Sequence, residues 1–283
     1  QALQGWLPAW LPLPLPAPFL LGLDAQLAET GYPAYLLGRF NASGFPHYYL
    51  VAWLVKTPEP FLVATLLALL GGRLQPRELP ALAMGLGSLL VFSLAGHKNI
   101  GIRYLLFLIP VAALACGRLA AAGRGLLARP AWLRPAVLVL LAGWQLAVAV
   151  TAWPDFLAYF NQASGGTAAG HRYLLDSNLD WGQDLIALAD YQDRHRIPVI
   201  ELAAFTRLPP EIYGIRYRTL TGEPAGRHVA VSANLLWGRM YFVNGTDFWP
   251  GDPDLYARFR DLSPQAILGG SLYLFDLGPV PEP

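Results

Sequence analysis

His97, Lys98 and Arg103 place three positively ionisable side chains in one short segment, Gly96-His97-Lys98-Asn99-Ile100-Gly101-Ile102-Arg103-Tyr104, between two apolar stretches. A Lys and an Arg beside flexible glycines can hold a phosphate, Arg through its planar fork and Lys as a point charge. The same side chains would also serve as anchors to lipid headgroups. A second charged cluster, Lys56-Thr57-Pro58-Glu59-Pro60, interrupts another apolar region. Ionisable groups set among membrane-like sequence are functional candidates by default, although Lys56 could equally snorkel to an interface with Glu59 as partner or helix-start residue.

The densest polar and aromatic run is His171-Arg172-Tyr173-Leu174-Leu175-Asp176-Ser177-Asn178-Leu179-Asp180-Trp181-Gly182-Gln183-Asp184. Asp180 followed three residues later by Gln183 has the form of a capping box, and Trp181, Leu185, Leu188 and Ala189 would share one apolar helix face. Capping does not account for Asp176, Asn178, His171 and Arg172, which fall before that helix and are candidates for contacts to an acceptor or a sugar. The five histidines, at 47, 97, 171, 195 and 228, lack metal-ligand spacing. No glycine-rich phosphate loop and no Gly-x-Ser-x-Gly element is present. The single Cys116, inside an apolar run, excludes a disulfide framework and reads as a small buried hydrophobe. Asn41-Ala42-Ser43 and Asn244-Gly245-Thr246 fit the glycosylation tripeptide, a weak signal.

The elements that must hold these residues follow from composition. The 283 residues are 54% hydrophobic and only 14% charged, against roughly 25% charged in soluble proteins. Residues 1–153 carry 10 Lys/Arg and 4 Asp/Glu, whereas 154–283 carry 10 and 15, for balances of +6 and −5. A basic apolar part followed by an acidic polar one reads as a membrane region joined to a water-exposed domain. Nucleic-acid binding is disfavoured, because no basic stripe accompanies an aromatic platform.

Four stretches suit bilayer spans: 48–70 with its charged interruption, 79–95, 104–122 with Pro110 as a kink, and 135–153. Arg73 and Arg77 follow the first, and Arg118, Arg124, Arg129 and Arg134 follow the third, which makes that side cytoplasmic. Residues 1–47 then form an outer Pro- and Trp-rich loop, 48–153 the transmembrane region, and 154–283 an extracytoplasmic α/β domain. Within that domain, 197–205, 228–235 and 265–275 read as strands, and 184–195 and 254–261 as helices. The chain begins at Gln1 with neither Met nor a signal-peptide pattern, so the downstream part of a longer protein is expected.

Several runs together resemble bacterial phospholipid-carrier-dependent glycosyltransferases of glycosyltransferase family 39, the protein mannosyltransferase-like group with the GT-C fold. They are Tyr35-Leu36-Leu37-Gly38-Arg39-Phe40, His47-Tyr48-Tyr49-Leu50-Val51-Ala52-Trp53-Leu54-Val55-Lys56-Thr57-Pro58, His97 to Tyr104, Tyr159-Phe160-Asn161, and Asp176 to Asp184, in order over about 150 residues. The resemblance implies a polytopic enzyme of the bacterial inner membrane. It would transfer a sugar from a polyprenyl-phosphate donor to a protein, lipid or glycan acceptor on the outer face. The family's carboxylate base lies in an external loop upstream of this sequence, and Asp24 and Glu29 match no part of it. The donor phosphate maps onto Lys98 and Arg103, with His97 and Lys56 as weaker partners. Transfer from such a donor requires no nucleotide or metal, although a divalent ion is compatible with it. A competing expectation is a membrane-anchored outer domain that binds a glycan or a partner without catalysis. A transporter component is disfavoured by spans nearly free of polar residues.

Overall fold

The computed structural model describes residues 15–28, 33–71, 75–95, 99, 101–120, 130–245 and 248–278. His97 and Lys98 lie outside them, as do Arg73, Arg124 and Arg129. The first helix, α1 (Ala17–Ala28), starts where the proline run ends, with Pro18 in its first turn, where a missing N–H costs nothing. Strands β1 (Ala34–Leu36) and β2 (Arg39–Asn41) form an antiparallel hairpin over Leu37-Gly38, both left-handed, as a two-residue hairpin turn demands.

The stretch 48–70 is two helices, α2 (Tyr48–Lys56) and α3 (Glu59–Leu70), meeting at 113°. Pro58 is the cause: it forces Thr57 to φ −89°, ψ 133°, and its own missing N–H and Pro60 permit a helix only from Glu59 onward. Two further apolar helices are α4 (Leu79–Ala95) and α5 (Leu108–Gly117), and both are short for a span. Only α6 (Leu133–Ala152), among the described residues, is by itself long and apolar enough to cross a membrane. None of its residues is buried, and Val139, Leu140, Leu146 and Val150 are each about two-thirds or more exposed. Cys116 is half-buried, its sulfur 3.5 Å from Thr65 Oγ1.

After α6 the chain makes a one-turn helix α7 (Gly166–Ala169), then α8 (Leu185–Arg194) and a five-stranded mixed sheet. The strands are β3 (Ile200–Ala203), β4 (Tyr217–Thr219), β5 (His228–Ser232), β6 (Ala266–Leu268) and β7 (Leu272–Asp276), in the order β4-β3-β5-β7-β6. The β3 strand runs parallel to both β4 and β5, and β7 is antiparallel to β5 and β6. Three expectations are corrected here. Residues 265–275 are a hairpin rather than one strand, since Gly269 and Gly270 both take positive φ. The strand from 228 ends at Ser232 and passes into a short helix α9 (Ala233–Leu236). The helix expected over 254–261 shrinks to a 3-10 turn, Ala257–Phe259.

Alternation along the strands divides the interior in two. Leu202, Ala230, Leu272 and Leu274 face α8, which contributes Leu185, Leu188 and Tyr191. Ala203, Val229, Val231, Tyr273 and Phe275 face the other way, into a larger cluster that also holds Tyr48, Tyr49, Ala52 and Val55 of α2 and Leu105. The helical region and the sheet domain therefore share one core. Tyr256, 1% exposed, donates its hydroxyl to Leu220 O across that core at 2.7 Å. Tyr256→Phe is expected to lower stability by about 1 kcal/mol, the net worth of one such bond, read by thermal unfolding.

Candidate functional site

Four of the runs that carry the resemblance are far apart in sequence, yet described residues of each meet at the seam between α2 and the sheet domain. At its centre is Asn178, fully buried. Its Oδ1 accepts the Ile102 N–H at 2.9 Å, and its Nδ2 donates to Tyr48 Oη at 2.9 Å and Leu175 O at 3.0 Å. Lys56 Nζ donates to Leu157 O at 2.7 Å and to Asn178 O at 2.6 Å, and lies 4.4 Å from the Phe160 ring centre. The break between α2 and α3 leaves helix-end carbonyls that need donors. Asn161 supplies them: its N–H binds Val55 O, and its Nδ2 binds Leu54 O and Thr57 O. Glu59, in the first turn of α3, accepts the Ala163 N–H at 3.0 Å and the Tyr159 hydroxyl at 3.5 Å.

Asn99 and residues 101–104 are fastened to the same seam. Asn99, 3% exposed, accepts the Phe45 N–H through Oδ1 at 2.6 Å. Gly101 is packed so closely that a Cβ would lie 2.8 Å from Ser177 Oγ. A 3-10 turn, Ile102–Leu105, then turns Arg103 outward, where it is exposed, 5.4 Å from the Tyr104 ring and without an ion-pair partner among the described residues. Of the expected donor-phosphate residues, Arg103 thus presents a free cation, while Lys56 has its ammonium committed to two carbonyls and a ring.

The expected acceptor contacts divide in the same manner. Asp176 takes a left-handed φ of 62°, held by Asn234, and its Oδ2 binds Arg239 Nη2 at 2.5 Å. Arg239 also donates to Pro33 O at 2.7 Å, so this pair ties the 176–184 loop to the entry of β1. Asn178 and Asp176 are therefore committed to packing. His171 stacks on Trp237 with ring centres 4.2 Å apart, and burial lowers its imidazole below the usual range. Arg172 is exposed.

The capping box expected of Asp180 and Gln183 does not form, because the helix begins only at Leu185. Asp180 Oδ1 instead accepts the Gly182 N–H at 2.9 Å, and Gln183 Oε1 accepts the Trp181 N–H at 2.8 Å. This loop enters the crevice at the carboxyl ends of β3 and β5, where the chain order reverses and where open α/β sheets take up ligands. Here the protein fills the crevice itself: Asp180, Asp184, Phe205, Ser232 and Ser271 leave a cavity of about 10 Å³. Ser271 Oγ donates to Asp184 Oδ2 at 2.6 Å, a contact that nothing in the sequence pattern marks. Asn244, read as a glycosylation acceptor, is 1% exposed and bonded through Nδ2 to Leu202 O and Thr219 Oγ1, so it braces β3 and β4. Asn41 is exposed. No group of three or more His, Cys, Asp or Glu side chains gathers into a metal site among the described residues.

No protein-family model, no curated protein and no solved structure matches this chain.

Proposed function

We propose that the chain is the C-terminal part of a polytopic glycosyltransferase of the bacterial inner membrane. It takes a sugar from a polyprenyl-phosphate carrier and passes it to a protein, lipid or glycan acceptor on the outer face. One observation carries the reading: the separated runs at 47–58, 159–161 and 176–184 and the described residues of 97–104 converge on a single buried polar seam, with Arg103 standing free at its edge. The exposed apolar face of α6, with Val139, Leu140, Leu146 and Val150 each about two-thirds or more exposed, supports a lipid environment, as do Met84, Leu86, Leu90 and Val91 on α4, each more than half exposed. In this reading α2–α3, α4, α5 and α6 belong to the membrane region, and the sheet domain faces outward by the positive-inside rule.

The chemistry follows from the leaving group. As the glycosidic bond to the carrier breaks, negative charge builds on the lipid phosphate, and a cation already in place at the membrane surface lowers that barrier without reorganisation. Arg103 supplies a planar fork for two phosphate oxygens, and Lys98 and His97 add charge from the same segment. Asn99 and Gly101, held at the seam, lead directly into the turn that carries Arg103. Arg103→Ala and Lys98→Ala, made in the full-length protein and assayed in membranes with a polyprenyl-phosphate sugar, are each expected to lower transfer by about a hundredfold or more, with expression unchanged. Full transfer by both variants rules out the assignment and leaves the non-catalytic binding domain as the better reading.

A further inference from the structure

A cavity of about 280 Å³ opens between the last turn of α6, the segment that follows it, α7 and the β6–β7 turn. Its walls include Asp155, Tyr159, Thr167, Ile267, Gly269 and Gly270. The volume lies just under the usual range for small-molecule sites, about 300–1,000 Å³, and is right for one compact ring rather than an extended chain.

The charge on these walls has one sign. Asp155 is exposed and has no ion-pair partner among the described residues. Asp184, whose proton affinity burial raises and the Asp155 carboxylate raises further, lies behind Gly269. Glu59 lies behind Tyr159 and takes its hydroxyl bond. No Lys or Arg among the described residues lines the cavity. An anionic ligand such as a phosphate is therefore repelled, whereas a carboxylate beside a Thr hydroxyl suits donors from neutral hydroxyl groups. Ile267 and the Tyr159 ring give the apolar surface that the C–H face of a sugar ring needs. The β6–β7 turn is moulded to leave this space. A Cβ on Gly269 would lie 2.0 Å from Asp184 Oδ1, and one on Gly270 would lie 2.2 Å from Thr167 Cγ2.

We infer that this cavity binds a neutral sugar ring, with Asp155 accepting hydrogen bonds from its hydroxyls. The binding stands on the cavity alone; only its assignment to the acceptor side of the reaction rests on the transfer proposed above. That position suits an acceptor, because the cavity opens at the end of α6, where the chain leaves the apolar region.

The test uses the full chain in nanodiscs and saturation-transfer NMR with mannose, glucose, galactose and N-acetylglucosamine, each alone, and with inorganic phosphate as competitor. At least one sugar is expected to receive saturation, with no competition from phosphate. Asp155→Ala is expected to weaken binding about tenfold, as loss of hydrogen bonds to a charged group does. Ala168→Trp, which fills the cavity from an exposed position, should abolish it. Arg103→Ala should bind as the unaltered protein does, so that failure of the donor site and failure of this one are told apart. Absence of saturation for all four sugars, displacement by phosphate, or unchanged binding in both Asp155→Ala and Ala168→Trp overturns the inference.

Discussion

Asn178→Ala is expected to destabilise the protein by about 3–4 kcal/mol, measured by thermal unfolding and protease sensitivity of the purified chain in detergent. The substitution removes an acceptor and two donors from a site with no access to water. It leaves the Ile102 N–H, the Tyr48 hydroxyl and the Leu175 carbonyl without their partners. Each orphaned buried group costs about 1–3 kcal/mol, partly offset where relaxation lets one find another partner. Lys56 is held by the backbone carbonyl of residue 178, so its own anchor survives the change. The damage should therefore appear first as loosening of the 101–105 turn, seen as new proteolysis there. Asn178→Asp keeps the acceptor for Ile102 but loses both donors and buries a charge, and should fare no better. Arg172→Ala, at an exposed position, should change stability by less than about 0.5 kcal/mol. Should Asn178→Ala prove as stable as Arg172→Ala, the seam is not held as described.

This contrast also shows what could be read from residue types alone. The 171–184 run stands out in the sequence because it is polar and aromatic, and that density was a sound pointer to importance. It could not separate ligand contacts from packing, because Asn and Asp perform both tasks with the same atoms. The distinction lies in partners 58 to 130 residues away, such as Asn234 for Asp176 and Tyr48 for Asn178, which no local pattern encodes. The interruption at Thr57-Pro58 was legible, because proline acts on its immediate neighbours, yet 48–70, expected as one span, is two helices. The sharpness of the bend was not, since it depends on Asn161 reaching back to cap α2.

In the sheet domain the same division holds. Strands β3 and β5 and helix α8 were visible as alternating or helical apolar patterns, and their centres fall where expected. The β6–β7 hairpin was missed although Gly269-Gly270 is a standard turn signal, because the apolar residues on either side read as one continuous run. Residues 254–261 carry helix-forming types, yet Tyr256 and Phe259 are drawn into the core and only one 3-10 turn results. Tertiary packing there overrides local preference. The cavity walls come from α6, the segment after it, α7 and the β6–β7 turn, so the sugar site had no sequence signature.

The second large effect is one of pH. Asp180 is 1% exposed, and burial pushes its carboxyl up to about 7, against the bond from Gly182 and the nearby Ser232 and Ser271 hydroxyls, which favour the charged form. Its Oδ2 has no hydrogen-bond partner among the described residues. A folded-state value above the unfolded one means that the folded protein holds the extra proton between about pH 4 and 7. Stability is then greatest below that window and falls as pH rises through it, by on the order of 4 kcal/mol for a shift of this size. Asp180→Asn keeps Oδ1 as acceptor for Gly182 and places an uncharged donor where the protonated acid would carry its hydrogen. The variant should match the unaltered protein near pH 4 and exceed its stability at pH 8. Asp184, pushed up to about 6 chiefly by burial and held down in part by Ser271, acts in the same direction and leaves a smaller residual slope below pH 6. Denaturation midpoints at pH 4, 6 and 8 decide the matter: parallel curves for the two proteins would mean that Asp180 stays charged in the fold, and that the interior around it is more polar than its burial implies.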